Sequence, residues 1–137
     1  MRWDVGGDDQ YTCRSVAHTG MAWDEGVGYL IDDAGDDVYK TGDLSCGGAA
    51  QTGVAMLLDR GGSDTYRTGR ESQGGTGSSE YHNKPALAVL IDLGGKKDSY
   101  SAPQRSDNTL RVTEGAQVFL DAKAKDMKQA LKSKLLR

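Results

Sequence analysis

GVGYLIDDAGDDVY, residues Gly26–Tyr39, joins an apolar block to a turn that crowds four carboxylates together. The block returns as GVAMLLD at Gly53–Asp59, ALAVLID at Ala86–Asp92 and GAQVFLD at Gly115–Asp121. The turn returns as DVGGDDQY at Asp4–Tyr11, as DRGGSDTY at Asp59–Tyr66 and, one residue longer, as DLGGKKDSY at Asp92–Tyr100. Its shared pattern is D-x-[GA]-G-x-D-x-Y. The leading aspartates are Asp4, Asp32, Asp59, Asp92 and Asp121, at spacings of 28, 27, 33 and 29. A third column follows the tyrosines. His18, Cys46 and Gln73 each stand seven residues beyond Tyr11, Tyr39 and Tyr66, and Gly20, Gly48 and Gly75 stand nine beyond.

Internal repetition at a fixed period is the signature of a stacked architecture. One unit is too short and too rich in glycine to bury a core alone, but stacked units share one. The apolar block has the length of a strand. The turn that follows uses glycine for unusual backbone angles and aspartate to hold turn amides. A second short strand comes next, VYK or TYR. The expected fold is therefore all-β, a parallel β-helix or solenoid of about four coils of about 28 residues, with three short strands to a coil. It would occupy residues 1–121. Residues 122–137, AKAKDMKQALKSKLLR, place Ala124, Met127, Leu131 and Leu135 near helical spacing among lysines, which predicts a C-terminal amphipathic helix acting as a cap or dimer contact.

Alternate residues of a strand face opposite ways. In the first strand Leu30, Leu57 and Leu90 share a face with the aspartates. Val27, Tyr29, Ile31, Val54, Met56 and Leu58 form the other face, which is also apolar. A solenoid wall needs one apolar face, so the second predicts a cover. The expectation is a homodimer through these six residues, with Trp3 at the margin. In the second strand Asp37, Tyr39, Asp64 and Tyr66 are expected inside, and Lys40 and Arg67 in solvent.

The totals agree with a thin, turn-rich body. The 137 residues suit one domain; 19 are glycine, about twice the usual share, and only one is phenylalanine. The net charge of −3 divides into −7 over residues 1–120 and +4 over 121–137. An acidic body argues against nucleic acid as a partner. No run approaches the roughly 20 apolar residues of a membrane span. Two cysteines, Cys13 and Cys46, match neither a disulfide framework nor a zinc motif. The opening MRWDVGGDDQ has no apolar signal-peptide core, so the expectation is a cytoplasmic protein; a fragment of a longer exported chain would read alike.

Three groups of residues carry candidate chemistry. Asp9, Asp37 and Asp64 form one predicted ladder, and Asp4, Asp32, Asp59 and Asp92 another. Coils about 4.8 Å apart bring like charges close enough to repel by about 3–4 kcal/mol at an effective dielectric near 20. Turn amides and tyrosine hydroxyls are the expected compensation. Calcium held by Asp9, Asp32, Asp37, Asp59 and Asp64 is the sharper alternative. His18, Cys46 and Gln73 form a second group, in which a thiol beside an imidazole would start a nucleophile–base pair. The third is the insertion Gly77–Lys84, whose Glu80, Tyr81, His82 and Lys84 are expected on a protruding binding loop. No phosphate loop, HExxH, GxSxG or dinucleotide fingerprint is present.

The repeated blocks resemble those of bacterial parallel β-helix repeat proteins. The stretch Gly7–Tyr11, with its copies from Gly35 and Gly62, is also similar to the second half of the calcium-binding RTX nonapeptide, G-x-D-x-U. That likeness covers only these segments and implies calcium at their aspartates. The sequence as a whole predicts a non-catalytic, homo-oligomeric β-solenoid binding or assembly module without a cofactor, with a protein or carbohydrate as ligand. A calcium-dependent carbohydrate-binding or lyase-type β-helix is the alternative, and a small enzyme built on Cys46 and His18 a second.

Overall fold

The computed structural model describes residues 1–113 and 116–123. Ten strands follow one another: β1 (Arg2–Asp4), β2 (Gln10–Thr12), β3 (Val27–Asp32), β4 (Val38–Lys40), β5 (Val54–Asp59), β6 (Thr65–Arg67), β7 (Leu87–Leu93), β8 (Ser99–Tyr100), β9 (Leu110–Thr113) and β10 (Gln117–Ala122). They form two walls. Sheet A runs β1-β3-β5-β7-β10-β9 and sheet B runs β2-β4-β6-β8. Every pair is parallel except β9 with β10. The chain is a parallel β-solenoid of about four turns, with no helix among the described residues. The third wall has only isolated bridges, His18 to Ser45 and Ala22 to Ala49 to Thr76, where a third strand was expected. The helix expected beyond Ala122 lies outside the described residues.

Each wall is a ladder of like residues. In sheet A, Leu30, Leu57, Leu90 and Phe119 stand in register, and so do Asp4, Asp32, Asp59, Asp92 and Asp121. In sheet B, Tyr11, Tyr39, Tyr66 and Tyr100 stand in register. The leucines and tyrosines meet inside and form the core with Cys46 and Phe119. A narrower core of Ala22, Ala49, Ala55, Ala86 and Ala88 fills the corner where the third wall meets sheet A. Small residues are required there because the backbones converge.

The four tyrosine rings stack at 4.7, 4.7 and 4.9 Å between centroids, with planes within 7° of parallel. The coil spacing sets this distance, since in-register strands repeat at about 4.8 Å. Phe119 closes one end of the stack edge-on to Tyr100, and the Arg105 guanidinium lies over Phe119 at 5.2 Å. At the other end Arg2 takes the position of the leucines and lies 4.7 Å over the Tyr11 ring. Lys40 and Arg67 face solvent, as their strand parity predicts.

Beyond Tyr100 the repeat stops. The chain turns back through residues 101–109, and β9 adds to the edge of sheet A in the antiparallel sense. This strand was not expected. LRVT carries no D-x-G-G turn, so the repeat pattern is silent about it.

Candidate functional site

The D-x-G-G-x-D turn forms the corner between sheets A and B, and both of its aspartates point inward. The leading aspartate ends the sheet A strand. Its Oδ1 accepts the amide two residues on, Ala34 to Asp32 at 3.3 Å and Gly61 to Asp59 at 3.2 Å. Its Oδ2 accepts tyrosine hydroxyls: Tyr11 donates to Asp32 at 2.5 Å, and Tyr39 and Tyr66 both donate to Asp59, at 2.9 and 3.1 Å. The Tyr100 hydroxyl lies 2.6 Å from Asp92 Oδ2 and 2.7 Å from Asp121 Oδ2 and shares its one proton between them.

The second aspartate opens the sheet B strand and staples adjacent coils. The amide of Asp9 donates to Asp37 at 2.6 Å, that of Asp37 to Asp64 at 2.7 Å, and that of Asp64 to Asp98 at 2.8 Å. Asp98 donates in turn to Asp107 at 3.4 Å, so Asp107 stands in for a coil that is not there. Turn amides and tyrosine hydroxyls thus meet the carboxylates as the sequence led one to expect.

They do not meet all of the oxygens. Asp37, Asp64, Asp92 and Asp98 are at most 5% exposed, yet Asp37 Oδ2, Asp64 Oδ2, Asp92 Oδ1 and Asp98 Oδ2 accept no hydrogen bond. Carboxylate oxygens converge to within 4.8 Å in the triads Asp4–Asp9–Asp32, Asp37–Asp59–Asp64, Asp64–Asp92–Asp98 and Asp98–Asp107–Asp121. Burial is the main reason that these acids hold protons strongly. It raises Asp37 to about 7, Asp64 to about 8 and Asp92 to about 9, and neighbouring carboxylates add to the rise. Asp59 and Asp98 also rise through burial, to about 6, with tyrosine hydroxyls opposing it at Asp59 and a backbone amide at both. The triads take in Asp9, Asp32, Asp37, Asp59 and Asp64, all singled out as candidate metal ligands, and add Asp4, Asp92, Asp98, Asp107 and Asp121. Asp98 was legible, because it is the second aspartate of the longer copy DLGGKKDSY. Asp107 was not, because it comes from the non-repeating segment.

The second candidate group is brought together differently from its sequence alignment. His18 bridges to Ser45, and Thr19, not His18, lies against Cys46, at 3.6 Å between Oγ1 and Sγ. The first coil holds one extra residue between its tyrosine and the third wall. Left-handed backbone angles mark the true register, at Thr19, Cys46 and Gln73 and again at Ala17, Leu44 and Glu71. Cys46 is fully buried, and burial raises its thiol to about 11. Gln73 is also buried, and its amide donates to Thr68 at 2.8 Å and Ser101 at 3.1 Å. His18 lines an open groove of roughly 450 Å³ with Arg2, Met21 and Tyr29, and its Nδ1 has no partner.

No protein family, no curated protein and no solved structure matches the chain.

The insertion does not stand free. His82 Nε2 lies 2.6 Å from Asp24 Oδ1, and the Tyr81 amide donates to Gln51 Oε1 at 2.9 Å. The segment is thereby tied to the turns of the two preceding coils. Glu80, Tyr81 and Lys84 remain exposed.

Sheet A keeps its second apolar face outward. Val27, Val54 and Leu87 share one row; Tyr29, Met56, Val89, Val118 and Val112 a second; Trp3, Ile31, Leu58, Ile91, Leu120 and Leu110 a third. Trp3 is 61% exposed and Val27 and Val112 each 63%. Leu120 is buried, and the other residues of these rows are half-buried or exposed. No described helix is long and apolar enough to cross a membrane.

Proposed function

We propose that the chain is a non-catalytic assembly module that pairs with a second copy of itself through the outer face of sheet A. The observation that carries this reading is the outward apolar face: three rows of aliphatic and aromatic side chains run across the strands, exposed at Trp3, Val27, Leu87 and Val112, buried at Leu120 and half-buried elsewhere. Six strands at about 4.8 Å and six residues at about 3.3 Å give a footprint of about 500 Å². That approaches the area each partner gives to a small specific interface. A flat, self-similar face suits a two-fold contact, which closes on itself.

The buried Cys46 supports the non-catalytic part. A fully buried thiol with its pKa raised, packed on two threonines, is a poor nucleophile and a poor metal ligand at neutral pH. The assembly reading is tested by placing a thiol at the centre of the face. In a Cys13→Ser background, Met56→Cys is expected to form a disulfide-linked dimer on mild oxidation in dilute solution. Lys40→Cys, on the outer side of sheet B, is expected to remain monomeric. Equal cross-linking at both positions, or none at position 56, removes the interface from sheet A.

A further inference from the structure

We infer that the corner column binds divalent cations of calcium's size, centred on Asp64, Asp92 and Asp98 and repeated on either side at Asp37–Asp59–Asp64 and Asp98–Asp107–Asp121. Two separate observations lead here. The first is convergence: within each triad one oxygen from every carboxylate lies within 4.8 Å of the others. A cation bound at about 2.4 Å holds opposite ligands about 4.8 Å apart. The second is the state of the oxygens. Asp64, Asp92 and Asp98 are 1%, 0% and 5% exposed, and each keeps one buried oxygen that accepts nothing, although the others are fully engaged by amides and hydroxyls. A buried acceptor without a donor is costly. Each carboxylate of this triad thus has an unpartnered oxygen to offer, and three converging carboxylates make an all-oxygen ligand set of the hard kind that calcium selects.

Charge balance agrees with this occupancy. The three triads share Asp64 and Asp98, so seven carboxylates serve three sites. Three divalent ions leave a single negative charge in the column. Among the described residues no lysine, arginine or histidine is in ion-pair contact with these seven, although the charge of Lys123 acts on Asp121 at the end of the column. The triad Asp4–Asp9–Asp32 differs, because Arg2 pairs with Asp4 at 3.0 Å and supplies the positive charge. It is left out of the inference for that reason.

Tyrosine provides the readout. Tyr66 and Tyr100 donate hydroxyls to Asp59, Asp92 and Asp121, so their rings lie within energy-transfer range of a lanthanide at these sites. Terbium is the probe, titrated at pH 7.5 into the whole chain freed of metal by chelator and excited at the tyrosine band. The expected result is sensitised emission that saturates at three ions per chain and is displaced by calcium. Asp64→Asn removes one anionic ligand from two of the three triads but keeps the oxygen that accepts the Asp37 amide. It is expected to reduce the stoichiometry to one, with the near-ultraviolet dichroism of the stacked tyrosines unchanged. Should that variant unfold, calcium-dependent melting of the unaltered chain decides the matter: a midpoint that rises with calcium and not with equal ionic strength of sodium supports the sites. Absence of sensitised emission from the folded chain, the same stoichiometry in a folded Asp64→Asn, or a midpoint indifferent to calcium overturns the inference.

Discussion

Each corner residue answers to two neighbours at once. Tyr66 is fully buried, stacks between Tyr39 and Tyr100, and gives its hydroxyl to Asp59. Tyr66→Phe keeps the ring and removes the donor. It is expected to cost about 1–2 kcal/mol in urea unfolding, because a buried carboxylate loses a hydrogen bond. No loss would mean that Tyr39 satisfies Asp59 alone. The aspartates also fix how stability responds to pH. Burial raises Asp37, Asp64 and Asp92 to about 7, 8 and 9 in the metal-free chain, against an unfolded value of 3.8. A raised carboxyl binds its proton more tightly when folded, so its contribution is complete below the unfolded value and is lost as pH rises through the folded one. In excess chelator the melting temperature is therefore expected to fall steadily from pH 5 to pH 9. A midpoint that climbs over that range would show that these carboxylates are ionised and satisfied without protons.

The elements owe their register to the turns. Gly35 and Gly62 adopt φ of +144° and +153°, and a Cβ on Gly62 would collide with the carbonyl oxygen of Gly35 in the coil beneath. Gly62→Ala is thus expected to destabilise by about 2–4 kcal/mol, as strain and steric conflict in a coil-to-coil contact should. An effect below about 0.5 kcal/mol, the range of a neutral surface change, would show that the coils separate freely at this corner. This turn is also why so much of the fold was legible in sequence. D-x-G-G-x-D-x-Y fixes two inward carboxylates and an inward ring whatever the other positions hold. The parity of Leu30 against Ile31, and of Tyr39 against Lys40, follows from the pleat. The third wall was less legible because its backbone is held by bridges and left-handed residues such as Thr19, Cys46 and Gln73, which follow no apolar alternation. One added residue in the first coil therefore moved His18 into false alignment with Cys46. β9 and Asp107 were not legible at all. They complete the last coil from a segment that has left the repeat.

Across the whole molecule the ends of the aromatic column and the flank of sheet A differ in chemistry. Arginines lie over both ends of the aromatic column, Arg2 on Tyr11 and Arg105 on Phe119. Charge placed there disfavours end-to-end stacking of one column on another. The flank is different: in the outer rows of sheet A Val27, Leu87 and Val112 are exposed, and Met56 and Val89 are half-buried beside them. An apolar face of that extent is at the upper end of what a single chain exposes, and it is the surface we propose for association. The segment 124–137, with Met127, Leu131 and Leu135, begins immediately past the end of β10, and removing it separates the two ways in which the face could be covered. The association itself is most directly measured by sedimentation equilibrium of the intact chain at micromolar concentration. The account predicts a mass twice the 14.6 kDa of one chain, retained in a chain ending at Lys123 and reduced to one chain by Met56→Asp. A mass of one chain at every concentration, or a dimer indifferent to Met56→Asp, would contradict it.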